Sequence, residues 1–365
     1  MHKLAFTLTP AALALLFAGA AVSAANDCAP ILPQLPHSAL VVANTVPANG
    51  DVNPYGVAFV PHDFASGGAI HPGDILVSNF NNSQNLQGTG STIVSIAADG
   101  HPSLFFQGHK GLGLSTALAV LKSGVVLVGN VPTKDGSFET IQQGSLIAVN
   151  RWGKTIATFS DSTFLDGPWD LAAVDYGSRA IVFVSSVLNG TVSRLDFDIS
   201  ENGDAIYLDQ ATLIARGYSH RGDPAALVVG PTGLALDVEQ DLLYVASTED
   251  NAIYAVRHAL HREDPEDRGA LVFRDDARLR GPLGLILAHN GDLITSNGDA
   301  INGNPNQPSE LVEFTRAGHF VAQYSVDLGG QGGAFGLALH GREDDRRLAA
   351  VDDVVNTLKI WTLPN

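Results

Sequence analysis

Two sets of residues recur along the chain at positions from which they would meet around a common axis. The first, Tyr55, Thr116, Trp169, Thr232, Leu283 and Phe335, stands at the opening of six similar apolar runs. Three rings, a leucine and two hydroxyls supply no acid, base or activated nucleophile. They supply a surface for an apolar or aromatic group, with hydrogen bonds at its edge. The second set, Asn79, Asn130, Ser186, Ser247, Asn297 and Asp352, ends the strand-like run that follows each opening. Amide and carboxylate oxygens suit a hard divalent cation such as calcium, with Asn79, Asn130, Asn297 and Asp352 as candidate ligands. The same residue types also end hairpins, because they hydrogen-bond their own backbone. Both readings of the second set stand at this point.

The elements that would position these residues are short strands. The openings read Pro54-Tyr55-Gly56-Val57-Ala58-Phe59, Ser115-Thr116-Ala117-Leu118-Ala119-Val120 and Pro168-Trp169-Asp170-Leu171-Ala172-Ala173, then Pro231-Thr232-Gly233-Leu234-Ala235-Leu236, Pro282-Leu283-Gly284-Leu285-Ile286-Leu287 and Ala334-Phe335-Gly336-Leu337-Ala338-Leu339. They return at intervals of about 50 to 63 residues, the mark of a repeat architecture. A second and a third apolar run follow each opening, and most copies add a fourth, such as Thr155–Phe159. Six units of four antiparallel strands predict an all-β, six-bladed β-propeller, each blade covering its neighbour's apolar face. The sixth unit stops after its third strand, Thr357–Trp361. The unassigned run Ala39–Ala43 near the amino end is expected to pair with it and close the ring. Two excursions interrupt the pattern. Residues 258–267 are polar and predict a helical turn, and residues 298–308 lengthen a loop of the fifth unit.

The fourth unit carries a resemblance to known proteins. Gly230-Pro231-x-Gly233-Leu234-Ala235-Leu236-Asp237, then Leu243-Tyr244-Val245-Ala246-Ser247, then Asn251-x-Ile253, resembles the repeats of NHL-type and SMP-30/gluconolactonase-like six-bladed propellers. The resemblance covers nearly the whole chain after its leader and specifies fold more than activity. It implies a divalent-cation site at the strand openings, built from carboxylates and amides. None of the six openings here has Asp, Glu or Asn at that position, although Asp166-Gly167-Pro168 is similar to the acidic-Gly-Pro opening of those relatives. Two functions follow. The first is a binding module that takes a small molecule, peptide or protein at the mouth of the central channel. The alternative is a cation-dependent hydrolase or lyase, with Asn79, Asn130, Asn297 and Asp352 as a displaced metal site.

Composition narrows the partners. Acidic residues outnumber basic ones 38 to 21, for a net charge of −17. Such a surface repels phosphate backbones and anionic lipid, so neither nucleic acid nor a membrane is an expected partner, and a monomer is expected. Residues 1–24 have a basic start, an apolar stretch and Val22-Ser23-Ala24, the pattern of a cleaved secretory signal. The expected layout is thus a signal at 1–24 and one propeller at 25–365, exported, and bacterial by its Ala-rich leader. The single cysteine, Cys28, has no internal partner, and the residues before it make a poor lipidation box. Weaker signals are His258-x-x-His261, too few ligands for a metal. Arg221-Gly222-Asp223 matches an adhesion tripeptide and is short enough to arise by chance. His62, His71, His109, His220, His289 and His340 are scattered along the loops.

Overall fold

In the computed structural model, which describes residues 29–307, 309–341 and 345–364, the repeats become six four-stranded antiparallel sheets. Blade 1 comprises Val52–Phe59, Ile75–Asn81, Thr92–Ile96 and Pro102–Gln107. Blade 2 opens at Leu114–Val120, blade 3 at Pro168–Asp175, blade 4 at Pro231–Asp237, blade 5 at Pro282–Leu287 and blade 6 at Ala334–His340. The predicted six-bladed propeller is the fold. Its first and second strands alternate β-branched residues and leucine on both faces, and both faces are buried against neighbouring blades, as in Ile75–Asn81. The predicted leader and Cys28 lie outside the described residues. Among those described, no helix is long and apolar enough to cross a membrane.

The ring closes as the sequence predicts. Val41–Asn44 pairs antiparallel with Thr357–Thr362, with Val41 opposite Ile360 and Asn44 opposite Thr357, and so supplies blade 6 with its outer strand. Ahead of it, a 3-10 turn at Leu32–Gln34 packs Ile31, Leu32 and Leu35 against Leu311 and Trp361. The backbone N–H groups of Ile31 and Leu32 donate to the two carboxylate oxygens of Glu313 at 2.8 and 2.7 Å. A charge-accepting anchor inside blade 5 therefore holds the amino-terminal segment.

Every blade carries a register shift in its first hairpin at the opening motif: Pro54/Val57, Leu114/Leu118, Pro168/Leu171, Pro231/Leu234, Pro282/Leu285 and Ala334/Leu337. A bulge bends the strand and re-aims its side chains. Here it packs the strands onto the axis so tightly that a Cβ at Gly336 would lie 1.9 Å from the Tyr55 carbonyl oxygen, and one at Gly233 2.2 Å from that of Leu283. Glycine is required there by close backbone approach.

Residues 258–267 form turns and no helix, and Glu266–Asp267 adds a short parallel strand to the outer edge of blade 3. His258 and His261 face the Asp241 carboxylate instead of stacking along a helix, so the helical reading of this excursion is corrected. One element has no counterpart in the sequence reading. Arg221–Asp223 and Leu227–Val229 make a two-stranded hairpin between blades 3 and 4.

Closure by the amino-terminal strand gives a direct prediction. Ala43 is 2% exposed and lies opposite Leu358, so Ala43→Asp buries an unpaired charge in the seam. We expect a loss of about 3 kcal/mol or more in chemical denaturation. A loss below about 1 kcal/mol would show that the strand does not hold the ring.

Candidate functional site

The strand openings and the ends of the second strands share one face of the propeller. There they surround a cavity of about 350 Å³ on the axis. Tyr55, Trp169, Leu283 and Phe335 of the first predicted ring line it. Tyr55 is stacked between Phe80 and Phe335, with centroids at 4.6 and 4.5 Å, and Trp169 meets Tyr55 and Phe80 edge-on at 5.8 and 5.5 Å. The bulges at Tyr55, Trp169 and Phe335 turn the rings inward, and together they form an aromatic base. A smaller space of about 110 Å³, lined by Thr116, Asp170 and Gly336 among others, lies further along the axis among the apolar strand residues.

The two threonines of that ring are placed differently. Thr116 Oγ1 donates to the Trp169 carbonyl, and Thr232 Oγ1 donates to the Pro282 carbonyl at 3.0 Å. Both hydroxyls are spent on the next blade's backbone, and neither lines the cavity at the mouth.

The four residues predicted as metal ligands are likewise engaged, blade by blade. The side-chain amide of Asn79 donates to the Thr45 carbonyl at 3.0 Å, that of Asn130 to Leu112 at 2.8 Å, and that of Asn297 to Arg278 at 2.7 Å. In each case the end of the second strand is tied to the segment leading into the blade. Asp352 forms an ion pair with Lys359 at 2.6 Å. Each of the four sits in its own setting, and the structure does not bring them together. Nor do the three amides bond their own turns, as the other reading had it: each ties its strand end to a segment 18 to 34 residues earlier in the chain.

The polar residues that do face the cavity lie one step further along. They include Asn53, Asn81, Gln87, Asp299 and Asp353. Asn53 Oδ1, Asn81 Oδ1, Asp299 Oδ2 and the Trp169 indole N–H are buried without a hydrogen-bond partner. Buried polar atoms left in that state are uncommon and costly. Asn53 and Asp299 are held in the left-handed region, at φ of 61° and 52°. That conformation is tolerated by Asn and Asp better than by other side chains, and for Asn53 it is fixed by a bond from its N–H to Asn356 Oδ1 at 2.7 Å.

Burial pushes Asp353 up to about 7, with the neighbouring Asp352 charge adding to the rise. Burial also raises the Tyr55 phenol, and the charge of Asp353 raises it further. Behind the wall, Glu310 is pushed up to about 7, mainly by desolvation, although Asn297 and Arg280 oppose the shift. Arg280 Nε lies 3.3 Å from Glu310 and 4.0 Å from Asp299, so one buried guanidinium serves two carboxylates.

The hairpin missed in the sequence narrows the mouth. Ala225, Ala226, Val228 and Val229 line the cavity, and the Ala225 carbonyl accepts from Gln87 across the opening at 2.8 Å. Asp223 holds the turn by accepting from the N–H groups of Ala225 and Ala226 at 2.8 Å each. Arg221 pairs with Asp223 and Glu249. The adhesion-like tripeptide is thus engaged internally as the first strand of this hairpin.

With this geometry in hand, solved structures give a consistent neighbourhood. The chain is similar to the major Malassezia sympodialis allergen Mala s 1 at 12% identity, covering 90% of this chain and 95% of that one with a TM-score of 0.55. It is similar to a gluconolactonase from Xanthomonas campestris at 14% identity, 93% and 96% coverage and a TM-score of 0.51. It is similar to a regucalcin, a calcium-binding protein, from Agrobacterium tumefaciens at 12% identity, 89% and 96% coverage and a TM-score of 0.50. No family model and no curated protein matches the sequence. The chain therefore shares the six-bladed propeller fold of these proteins.

The raised Asp353 carboxyl fixes a pH dependence. A carboxyl at about 7 in the folded state and about 3.8 in the unfolded chain makes the unfolded state the weaker proton binder between those values. Stability from this group is therefore full below about pH 4 and falls as pH rises toward 7. Asp353→Asn removes that loss. Melting is expected to shift up at pH 8 by the equivalent of about 1–3 kcal/mol and to stay nearly unchanged at pH 4. An equal shift at both values would contradict the assignment.

Proposed function

We propose that this propeller is a binding module whose axial cavity takes a small organic molecule with an apolar or aromatic body and hydrogen-bond donors at its edge. The observation that carries this reading is the axial cavity itself, with Tyr55, Trp169 and Phe335 as an aromatic base and Asn53, Asn81, Gln87, Asp299 and Asp353 among its lining residues. An apolar floor with a few polar side chains, in about 350 Å³, is the construction of a small-molecule site. The cavity's narrow mouth favours a small molecule over a folded partner. The leader-like residues 1–24 support the further proposal that binding takes place outside the cytoplasm.

A second reading, a cation-dependent hydrolase or lyase, is favoured by one observation. Asp353, at about 7, can hold or give up a proton near neutrality beside the Tyr55 hydroxyl. Asn53, Asn81, Asp299 and Asp353 line the cavity with amides and carboxylates, the donor types that calcium takes, whereas Asn79, Asn130, Asn297 and Asp352 are engaged elsewhere. A bound calcium would supply polarisation of a substrate carbonyl.

One experiment separates the two. Melting curves are recorded with a panel of small hydroxylated and amino-substituted aromatic compounds and lactones, with and without calcium, on the native protein and on Ala226→Trp, which fills the mouth. The binding-module reading predicts compounds that raise Tm in the native protein without calcium, with the shift abolished in Ala226→Trp. Compounds that act equally on both proteins would remove the cavity from the account. Stabilisation that needs calcium, together with turnover of a lactone or ester, would replace binding by catalysis.

A further inference from the structure

A second constellation lies away from the axial cavity, at the far end of the first strands. His340 is the last residue of the first strand of blade 6, and His62 follows the first strand of blade 1. Their Nε2 atoms are 2.8 Å apart. Asp345, just before the second strand of blade 6, brings Oδ2 to 3.7 Å from His340 Nε2. Among the described residues, this is the one group of three His, Cys, Asp or Glu side chains whose ligand atoms all lie within 4.8 Å of one another.

We propose that His62, His340 and Asp345 form a transition-metal site that clips blade 6 to blade 1, the two blades joined where the ring closes. Two imidazole nitrogens bound to one ion at about 2.0–2.1 Å lie about 3.0–3.4 Å apart, so the observed spacing needs to open by only a few tenths of an ångström. The two Nε2 atoms face each other as a hydrogen-bonded pair, one ring donating and the other accepting, and an ion bound by both would take the place of that proton. The His340 ring is fixed by stacking on Phe59, with centroids at 5.0 Å. The Asp345 carboxylate is fixed by Arg347, through Nε at 2.9 Å and Nη2 at 3.0 Å. Arg347 in turn lies over the Phe59 ring at 5.2 Å. Two of the three donors are thus oriented before any ion arrives. His62 and His340 open onto a surface depression of about 340 Å³, which leaves room for water at the remaining coordination positions.

Two imidazoles and one carboxylate select zinc, nickel or copper over calcium, which takes oxygen ligands. The ligands come from two blades separated by nearly the whole propeller in sequence. An ion there adds a cross-link at the seam that the amino-terminal strand otherwise closes by hydrogen bonds and apolar packing. The site shares no residue with the axial cavity, so its fate is independent of the binding reading.

The test is zinc titration of the chelator-stripped full chain, by calorimetry and by melting. The native protein is expected to take up one equivalent of zinc and to gain a few degrees in Tm at saturation, and calcium is expected to do neither. His62→Ala and His340→Ala are each expected to weaken the zinc equivalent at least tenfold. His258→Ala, which alters the exposed pair beside Asp241, is expected to leave it intact. His62 lies on an exposed loop, so its variant carries the test even where loss of the His340–Phe59 stack disturbs folding. Absence of a zinc equivalent, one that survives both substitutions, or one lost only with His258→Ala would overturn the proposal.

Discussion

The structure depends on a hydroxyl relay at the axis, repeated in alternate blades. On the second strand of blade 1, Ser78 accepts from the bulged N–H of Gly56 at 2.9 Å and donates to the Ser115 carbonyl of blade 2 at 2.9 Å. Ser185 does the same between Asp170 and the Thr232 carbonyl of blade 4, and Ser296 between Gly284 and the Phe335 carbonyl of blade 6. In these three blades the serine takes the N–H that the bulge turns out of its own ladder and adds a bond to the next blade. Buried as they are, these groups cannot turn to water, so the serine satisfies what the bulge would leave bare. Blades 2, 4 and 6 carry the bulge with Gly129, Ala246 and Val351 at the matching position.

The same constraint makes the cavity. Because the bulged strands approach within backbone contact, the axis keeps only a space of about 110 Å³ at their level. Tyr55, Phe80, Phe335 and Trp169 become the base of a cavity open toward the mouth. Carboxylates gather above and behind that base, and their burial costs stability, as the raised Asp353 and Glu310 show.

Much of the fold was legible because the opening motif is written six times and strands announce themselves by short apolar runs between turns. The closing strand was legible for the same reason, since the sixth unit lacked a partner and the amino end had one to spare. The face was legible too. Tyr55, Trp169, Leu283 and Phe335 surround the cavity as the repeat predicts. Thr116 and Thr232 share their register, but a hydroxyl beside a neighbouring carbonyl bonds to it, and register alone does not reveal that neighbour. Asn53 and Asn81 escaped because each lies one or two residues outside the repeating motif, where a bulge or turn decides the direction of the side chain, whereas Asp353 is legible as the acid that follows Asp352. The relay serines were within reach: Ser78, Ser185 and Ser296 all stand immediately before the second-ring residue. The hairpin Arg221–Val229 left only a weak signal, since Pro224-Ala225-Ala226 reads as a plain loop.

The most direct measurement of the central claim is a crystal structure at a resolution that shows ordered water, read at the axial cavity. The account predicts an open cavity over the Tyr55–Phe335 stack, whose contents, solvent or a retained small molecule, hydrogen-bond to polar side chains of its lining such as Asn53, Gln87, Asp299 or Asp353. A cavity filled by the Ala225–Ala226 turn, with no ordered contents over that stack, would contradict it.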